Sequence, residues 1–330
     1  MISTRLTRML DIRHPVVLAG MGGVGRAELA ATVSNAGGLG ILGMIRMSPD
    51  FMREQIRKTR ALTKQPFGVN IVPPCAPAPG GAEGQFEVCL EEKIPVLSLF
   101  WCDATPFVKR CHAAGIVVIL TVGSAEEARN AAAAGVDVIV AQGIEAGGHV
   151  RGEVGLLPLL PAVVDAVAPT PVLAAGGIVN GQGLAAALSL GAEGVWVGTR
   201  FVASVESEAH PDYKKRLLQA LGTDTVISKT PRVEWPPDAA YRLLRNALTD
   251  GASPPASSIA RARQGAHFVE LPVFTSAPPT VHTEGQTELM ANYAGQGVSL
   301  IREILPAAVI VDQMVSEAEG ALRHLPALLA

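Results

Sequence analysis

The sequence predicts a (β/α)8 barrel of the TIM type with a smaller helical domain inserted after its eighth strand. Three observations carry that expectation. Up to Arg200, short apolar runs alternate with alanine-rich helical stretches at a spacing of roughly 20 to 30 residues, as βαβ units require. The runs are almost wholly apolar instead of alternating with polar residues, which suits parallel strands covered on both faces. Polar or glycine-rich residues also close nearly every run, at the strand ends where barrel enzymes gather their chemistry. A doubly wound sheet shares the same grammar; the count of eight strands favours the barrel.

In chain order the strand candidates are VVLAG (16–20), LGILG (39–43), FGVNIV (67–72), VLSLF (96–100), VVILTV (117–122), VDVIVAQ (136–142), VLAAGG (172–177) and GVWVGT (194–199). The helical stretches between them carry start and stop signals. Ser48 and Ser124 stand where N-caps are expected, and Gly115, Gly135 and Gly191 stand where left-handed helix ends precede the next strand. PPCAPAPGGAEG (73–84) reads as a long loop on the mouth side, a lid or a substrate wall. After Arg200 proline, charge and aromatic residues rise and no βαβ unit is visible. Residues 204–282 are therefore predicted to form a helical substrate or lid subdomain, with 1–203 and 283–330 forming the barrel. The stretch from ELMANYAGQG onward resumes helical periodicity and is expected to supply the closing helices.

Composition narrows the function. The 330 residues are 48% hydrophobic and 17% charged with a formal net charge of -3, so a large core is available and no basic footprint for nucleic acid exists. Cys75, Cys89, Cys102 and Cys111 lack CxxC or Cys/His ligand spacing, which predicts free thiols, no metal site and a reducing, cytoplasmic setting. The N-terminal MISTRLTRMLDIRHP has no sustained apolar core, and no run is long enough to span a membrane. Apolar helix faces do not separate barrel packing from a subunit contact, so a homodimer stays open.

Four motifs carry chemistry. GMGGVG (20–25) matches GxGxxG, but the next strand ends LGMIRM without the acidic residue of a dinucleotide site, so these glycines read as a close-approach loop. Asn70 is the polar residue within FGVNIV; its amide serves a planar ligand or is satisfied by neighbouring backbone. AAGGIVNGQG (174–183) and GVWVGTR (194–200) follow strands seven and eight, where barrels build phosphate sites. The N–H groups of Gly176, Gly177, Gly198 and Thr199 are placed to donate to phosphate oxygens. AQGIEAGGHVRG (141–152) follows strand six: Gln142 can bond a heterocycle, Gly147 and Gly148 leave room for one, and His149 can take a proton near neutral pH. Glu145 is expected to orient that turn or to form a solvated pair with Arg151. His14, His112, His210, His267, His282 and His324 fall on predicted turns or helices.

These motifs, in this order and spacing, resemble the nitronate monooxygenase family, formerly 2-nitropropane dioxygenases. The resemblance extends to PVVLAGMGGVGRAELAATVSNAGGLGILG, VGTRFVASVESEAHPDYK and NYAGQGVSLI, and so covers most of the chain. It implies a TIM barrel holding non-covalent FMN beneath a smaller domain. The family's flavin contacts carry over onto Asn70, Gln142, Gly147, Gly177 and the run Trp196, Val197, Gly198, Thr199, with Ala19, Gly20 and Met21 lining the ring. His149 matches the catalytic histidine. Trp196 departs from the smaller or amide residue expected at its position. The implied reaction is oxidation of alkyl nitronates, and of nitroalkanes after α-proton removal by His149, by O2 to carbonyl compounds and nitrite. NAD(P)H-dependent reductases of enoyl thioesters or quinones share the scaffold and are the alternative. A flavin-free isomerase or aldolase would need a strand-end lysine or paired carboxylates, and neither is seen.

Overall fold

The barrel follows from the side-chain period of its strands. In the computed structural model, which describes residues 2–76, 81–230, 235–265 and 267–324, eight parallel strands run in the order β1-β9-β8-β6-β5-β4-β3-β2. They are β1 (Val16–Leu18), β2 (Gly40–Gly43), β3 (Phe67–Ile71), β4 (Val96–Phe100), β5 (Val117–Val122), β6 (Val138–Gln142), β8 (Val172–Ala175) and β9 (Gly194–Val197), with the two-residue β7 (Gly148–His149) outside the ring. A parallel bridge from Val17 to Leu39 joins the two ends of this order, which closes the ring and excludes the doubly wound sheet. Alternate residues face opposite ways. Val17, Ile41, Val96, Ile119, Val138, Val140, Leu173 and Ala175 pack inside the barrel, with Trp196 against them. Val16, Leu18, Leu97, Val118, Leu120, Val195 and Val197 face the helices outside.

The helical layer is α1 (Arg5–Leu10), α2 (Ala27–Asn35), α3 (Pro49–Leu62), α4 (Gly81–Glu91), α5 (Thr105–Ala113), α6 (Ala125–Ala133), α7 (Leu156–Val167), α8 (Gly181–Ser189), α9 (Thr199–Val202), α10 (Pro211–Gln219) and α11 (Ala307–His324). Ser48 and Ser124 cap α3 and α6, accepting from the N–H groups of Phe51 and Glu127. Gly115, Gly135 and Gly191 all have positive φ. α1 was not anticipated. It starts at a reciprocal Thr4–Thr7 capping box, and it packs Leu6 and Leu10 with Ile12 into the inner cluster. Each fully buried leucine contributes about 1.5–3 kcal/mol. The last helix, α11, packs on α8 and α2 and completes the outer ring.

Four expectations need correction. The 204–282 insertion is not chiefly helical: among its described residues α10 is its one α-helix, and the rest forms β10 (Thr225–Ser228), β11 (Tyr241–Leu244), β12 (Ser258–Gln264) and β13 (His267–Pro272). The segment SIARARQG alternates at period two up to a glycine with φ +62°, which makes a hairpin whose Arg261 and Arg263 both lie over Phe268. The insertion also does not end at 282. β14 (Thr283–Gly285) pairs with β12, and the Ser204–Leu305 bridge joins the chain beyond it to the segment that follows α9. The NYAGQGVSL stretch is extended and 3-10 in conformation, so α11 is the one closing helix. Finally, α4 starts at Gly81, which shortens the loop predicted over 73–84; residues 77–80 of it lie outside the described residues.

Candidate functional site

A cavity sits at the carboxyl ends of the strands, roofed by the insertion. Its lining includes Ala19, Gly20, Met21, Asn70, Gln142, Gly147, Gly148, His149, Gly176, Gly177, Trp196, Gly198 and Thr199, so the structure brings together nearly every residue singled out from sequence. Val197 is the exception. Strand alternation sends its side chain into the outer core, and its carbonyl already accepts from the Ala19 N–H at 2.9 Å. Trp196, its neighbour, faces inward and forms part of the cavity floor.

Close backbone approach explains the first glycine loop. A Cβ on Gly20 would lie 2.3 Å from Asn70 Cβ, and one on Gly43 would lie 2.3 Å from the Met21 backbone. Asn70 Nδ2 donates to Ser98 O and Ser98 Oγ, both at 3.2 Å, so the side chain is satisfied locally while still lining the cavity. GMGGVG is thus a packing loop at a barrel mouth, with no dinucleotide fold around it.

The turn after β6 is tied at many points. Gln142 Nε2 donates to the His149 carbonyl at 3.0 Å, and its Oε1 accepts from the Arg151 N–H at 2.9 Å. The carboxamide therefore holds the turn while still lining the cavity. Glu145 does not pair with Arg151: its two carboxylate oxygens accept from the Leu156 N–H at 2.9 and 3.0 Å, at the start of α7. Arg151 reaches Glu127 at 2.7 Å instead and lies over the Trp101 ring. From below, Arg242 donates to the Ile144 carbonyl from Nε and Nη2, both at 3.1 Å. Burial pushes the Arg242 guanidinium below its ordinary value, against the pull of Glu145.

The same turn is latched by the NYAGQG segment. Gln296 N–H donates to the Glu145 carbonyl at 2.9 Å and Gly295 N–H donates to Thr199 Oγ1 at 3.0 Å. A Cβ on Gly147 would lie 2.5 Å from Gly295 N, and one on Gly297 would lie 2.3 Å from the Gly177 carbonyl. Gly147, Gly295 and Gly297 are required here because two loops and a third segment meet backbone to backbone.

The end of β8 and β9 offers an anion cradle. Gly176 and Gly177 have φ of +114° and +69°, and a Cβ on Gly177 would meet nothing closer than Glu145 Cβ at 3.7 Å, in open cavity. The N–H groups of Gly177, Gly198 and Thr199 donate to no backbone carbonyl among the described residues. The N-terminus of α8 is not available in the same way, because Asn180 caps it and its Gly181 N–H donates to Glu317 Oε2 at 2.8 Å. The open donors are those of the loops themselves, and a phosphate group fits them.

His149 stands at the other end of the cavity in β7, which pairs antiparallel with β11 (His149 opposite Tyr241). It is 7% exposed. Its ring stacks on Trp235 with centroids 3.4 Å apart and planes 9° apart, with Tyr241, Tyr293 and Trp101 at 5.5, 5.8 and 6.4 Å. Sequence reading missed this aromatic box. Trp101 directly follows a strand end and has positive φ, and Trp235 sits between a glutamate and a proline pair in a stretch read as part of a helical subdomain. Among the described lining residues no carboxylate occurs, Arg46 is the one permanently charged side chain, and its Nη1 donates to Ser276 Oγ. The described residues hold no cluster of groups able to bind a metal, and no described helix is long and apolar enough to cross a membrane.

Comparison with known proteins agrees with this geometry. The family model for nitronate monooxygenase matches residues 3–81 and 78–317. A Mycobacterium tuberculosis protein named (3aS,4S,5R,7aS)-5-hydroxy-7a-methyl-1-oxo-octahydro-1H-indene-4-carboxyl-CoA dehydrogenase is 43% identical over 76% of this chain and 68% of its own. The nitronate monooxygenase of Pseudomonas aeruginosa is 32% identical over 97% of this chain and 100% of its own. The solved structure of FabK from Thermotoga maritima superimposes with a TM-score of 0.81 at 33% identity, covering 99% of this chain and 100% of that one.

Proposed function

The chain belongs to the nitronate monooxygenase family of oxidoreductases, and from that premise we propose that it binds FMN in the barrel-mouth cavity and oxidises alkyl nitronates, and neutral nitroalkanes, with O2 to carbonyl compounds and nitrite. One observation carries the assignment of the base. Among the described residues lining the cavity, His149 is the side chain able to take a proton near neutral pH, and no carboxylate competes with it.

The chain's own groups divide the work. The N–H groups of Gly177, Gly198 and Thr199 hold the cofactor's phosphate, with Gly176 and Gly177 giving it room. Ala19, Gly20, Met21 and Asn70 line the side of the cavity that would take the flat ring system, and Trp196 closes the floor. Bound there, FMN supplies the electron transfer between substrate and O2. The His149 imidazole removes the α-proton of a neutral nitroalkane and is not required for a nitronate, which is already deprotonated. The roof formed by the insertion excludes water from the carbanion.

A second reading has specific support. A relative 43% identical is named as a carboxyl-CoA dehydrogenase and FabK shares the whole fold, so redox chemistry on an acyl thioester driven by a pyridine nucleotide fits the same cavity. Anaerobic mixing of the yellow, FMN-loaded protein decides. Under our reading propionate 3-nitronate removes the flavin colour, nitrite appears once air is admitted, and NADH and NADPH have no rapid effect. Rapid loss of colour with NADH or NADPH, and none with nitronate, ends our reading in favour of a reductase driven by a pyridine nucleotide.

A further inference from the structure

We propose that Trp235 is the positioning residue of His149: the indole lies flat on the imidazole and fixes the ring plane in which that base receives its proton. The protonation role of His149 rests on the function proposed above; the stack itself does not. The two rings are 3.4 Å apart and within 9° of parallel. Histidine has a broad second side-chain torsion, so backbone placement alone does not set its ring plane. The backbone of His149 is pinned by the pairing of β7 with β11 and by Gln142, and the torsion is what the aromatic neighbours restrict.

Trp235 is itself braced. It meets Trp101 edge-on at 5.5 Å and Phe100 at 6.2 Å, both at the end of β4, and it packs against the buried Ile45, Val72 and Cys75. The insertion thus delivers a rigid aromatic plate onto a ring carried by the barrel. Imidazole lone pairs and N–H bonds lie in the ring plane. A plate on the face therefore constrains orientation while leaving the in-plane direction of proton transfer open. Since general-base catalysis depends on a near-attack geometry, holding that plane raises kcat for a substrate that must lose a proton.

The test uses the FMN-loaded protein with histidine labelled at the ring Cε1. The His149 signal is identified by its loss in His149→Gln. It is expected upfield of the remaining histidines through the ring current of the indole, to move downfield in Trp235→Leu and to stay upfield in Trp235→Phe. In turnover, Trp235→Leu is expected to lower kcat for a neutral nitroalkane by on the order of tenfold to a hundredfold with little change in KM. It should leave nitronate turnover near wild type and add no further loss in the His149→Gln background; Trp235→Phe restores the rate. An unshifted His149 signal, full nitroalkane turnover in Trp235→Leu, or equal loss on both substrates overturns the proposal. If the wild-type protein turns over neither nitro substrate, the function proposed above fails, and the resonance alone decides whether Trp235 fixes the ring.

Discussion

Gln142 and His149 are joined across the turn by a hydrogen bond from the Gln142 carboxamide nitrogen to the His149 carbonyl, 3.0 Å long, while the same carboxamide accepts from the Arg151 N–H. One buried side chain thus fixes both ends of the segment that presents the base. Gln142→Leu keeps the volume and orphans two backbone groups, each worth about 1–3 kcal/mol when buried without a partner. The expected result is a lower urea midpoint together with a fall in turnover. An unchanged midpoint in Gln142→Leu would mean that water or relaxation replaces the grip.

Two glycine substitutions separate packing from ligand binding. In Gly147→Ala the new methyl would stand 2.5 Å from Gly295 N and 2.6 Å from Ala294 C, so backbone must move and the NYAGQG latch is displaced. A loss of about 1–3 kcal/mol or more, typical of overpacking, is expected with or without FMN. Gly177→Ala meets only Glu145 Cβ at 3.7 Å, but it places a methyl in the anion cradle at a φ of +69°. Its expected stability loss is on the order of 1 kcal/mol from the left-handed backbone, with a much larger loss of FMN affinity. Calorimetric FMN titration of both variants checks the contrast; equal affinities in Gly177→Ala and wild type would remove the cradle from the phosphate.

Removing the imidazole should split the substrates. His149→Ala is expected to retain FMN, since the cradle lies on β8 and β9, and to lose roughly 10²–10⁴-fold in kcat/KM on a neutral nitroalkane, the span general-base catalysis contributes. The matching nitronate, which arrives without the proton, should react within a few-fold of wild type. Parallel rate measurements on one nitroalkane and its nitronate form the check, and equal retention of both activities would strip His149 of its role as base.

What was legible in the sequence follows from which interactions are local. All eight barrel strands lie within the predicted runs because their apolar continuity is a property of a few adjacent residues, and Ser48, Ser124 and the helix-closing glycines act within one turn of chain. Motif glycines were readable for the same reason. The aromatic box was not, since Trp101, Trp235, Tyr241 and Tyr293 come from four separate stretches that only the folded insertion brings onto His149. The turn-holding bonds of Gln142 were not readable because its partners, His149 and Arg151, depend on how the turn folds back. The insertion was read as helical because charge and proline hid the period-two pattern of IARARQ, whose strand partners lie elsewhere in the insertion.

The buried thiols give a prediction about pH. Cys111 is fully buried, and burial, reinforced by Asp137, pushes its thiol from the ordinary 9.0 up to about 12; Cys89 is raised in the same direction by burial and by Cys111. Between about pH 9 and pH 12 the unfolded chain has lost protons that the folded chain keeps. The folded state binds more protons in that window, so stability falls as pH rises through it and is unaffected by these groups below about pH 9. Each such thiol contributes up to about 1.4 kcal/mol per pH unit within its window. Urea midpoints measured from pH 7.5 to 10.5 should therefore stay level on the Cys111 account up to about pH 9 and then decline. Cys111→Ala lowers the whole curve by leaving a cavity, but its decline above pH 9 should be shallower than in wild type. A Cys111→Ala curve that falls as steeply as the parent would show that this thiol does not titrate on unfolding in that range.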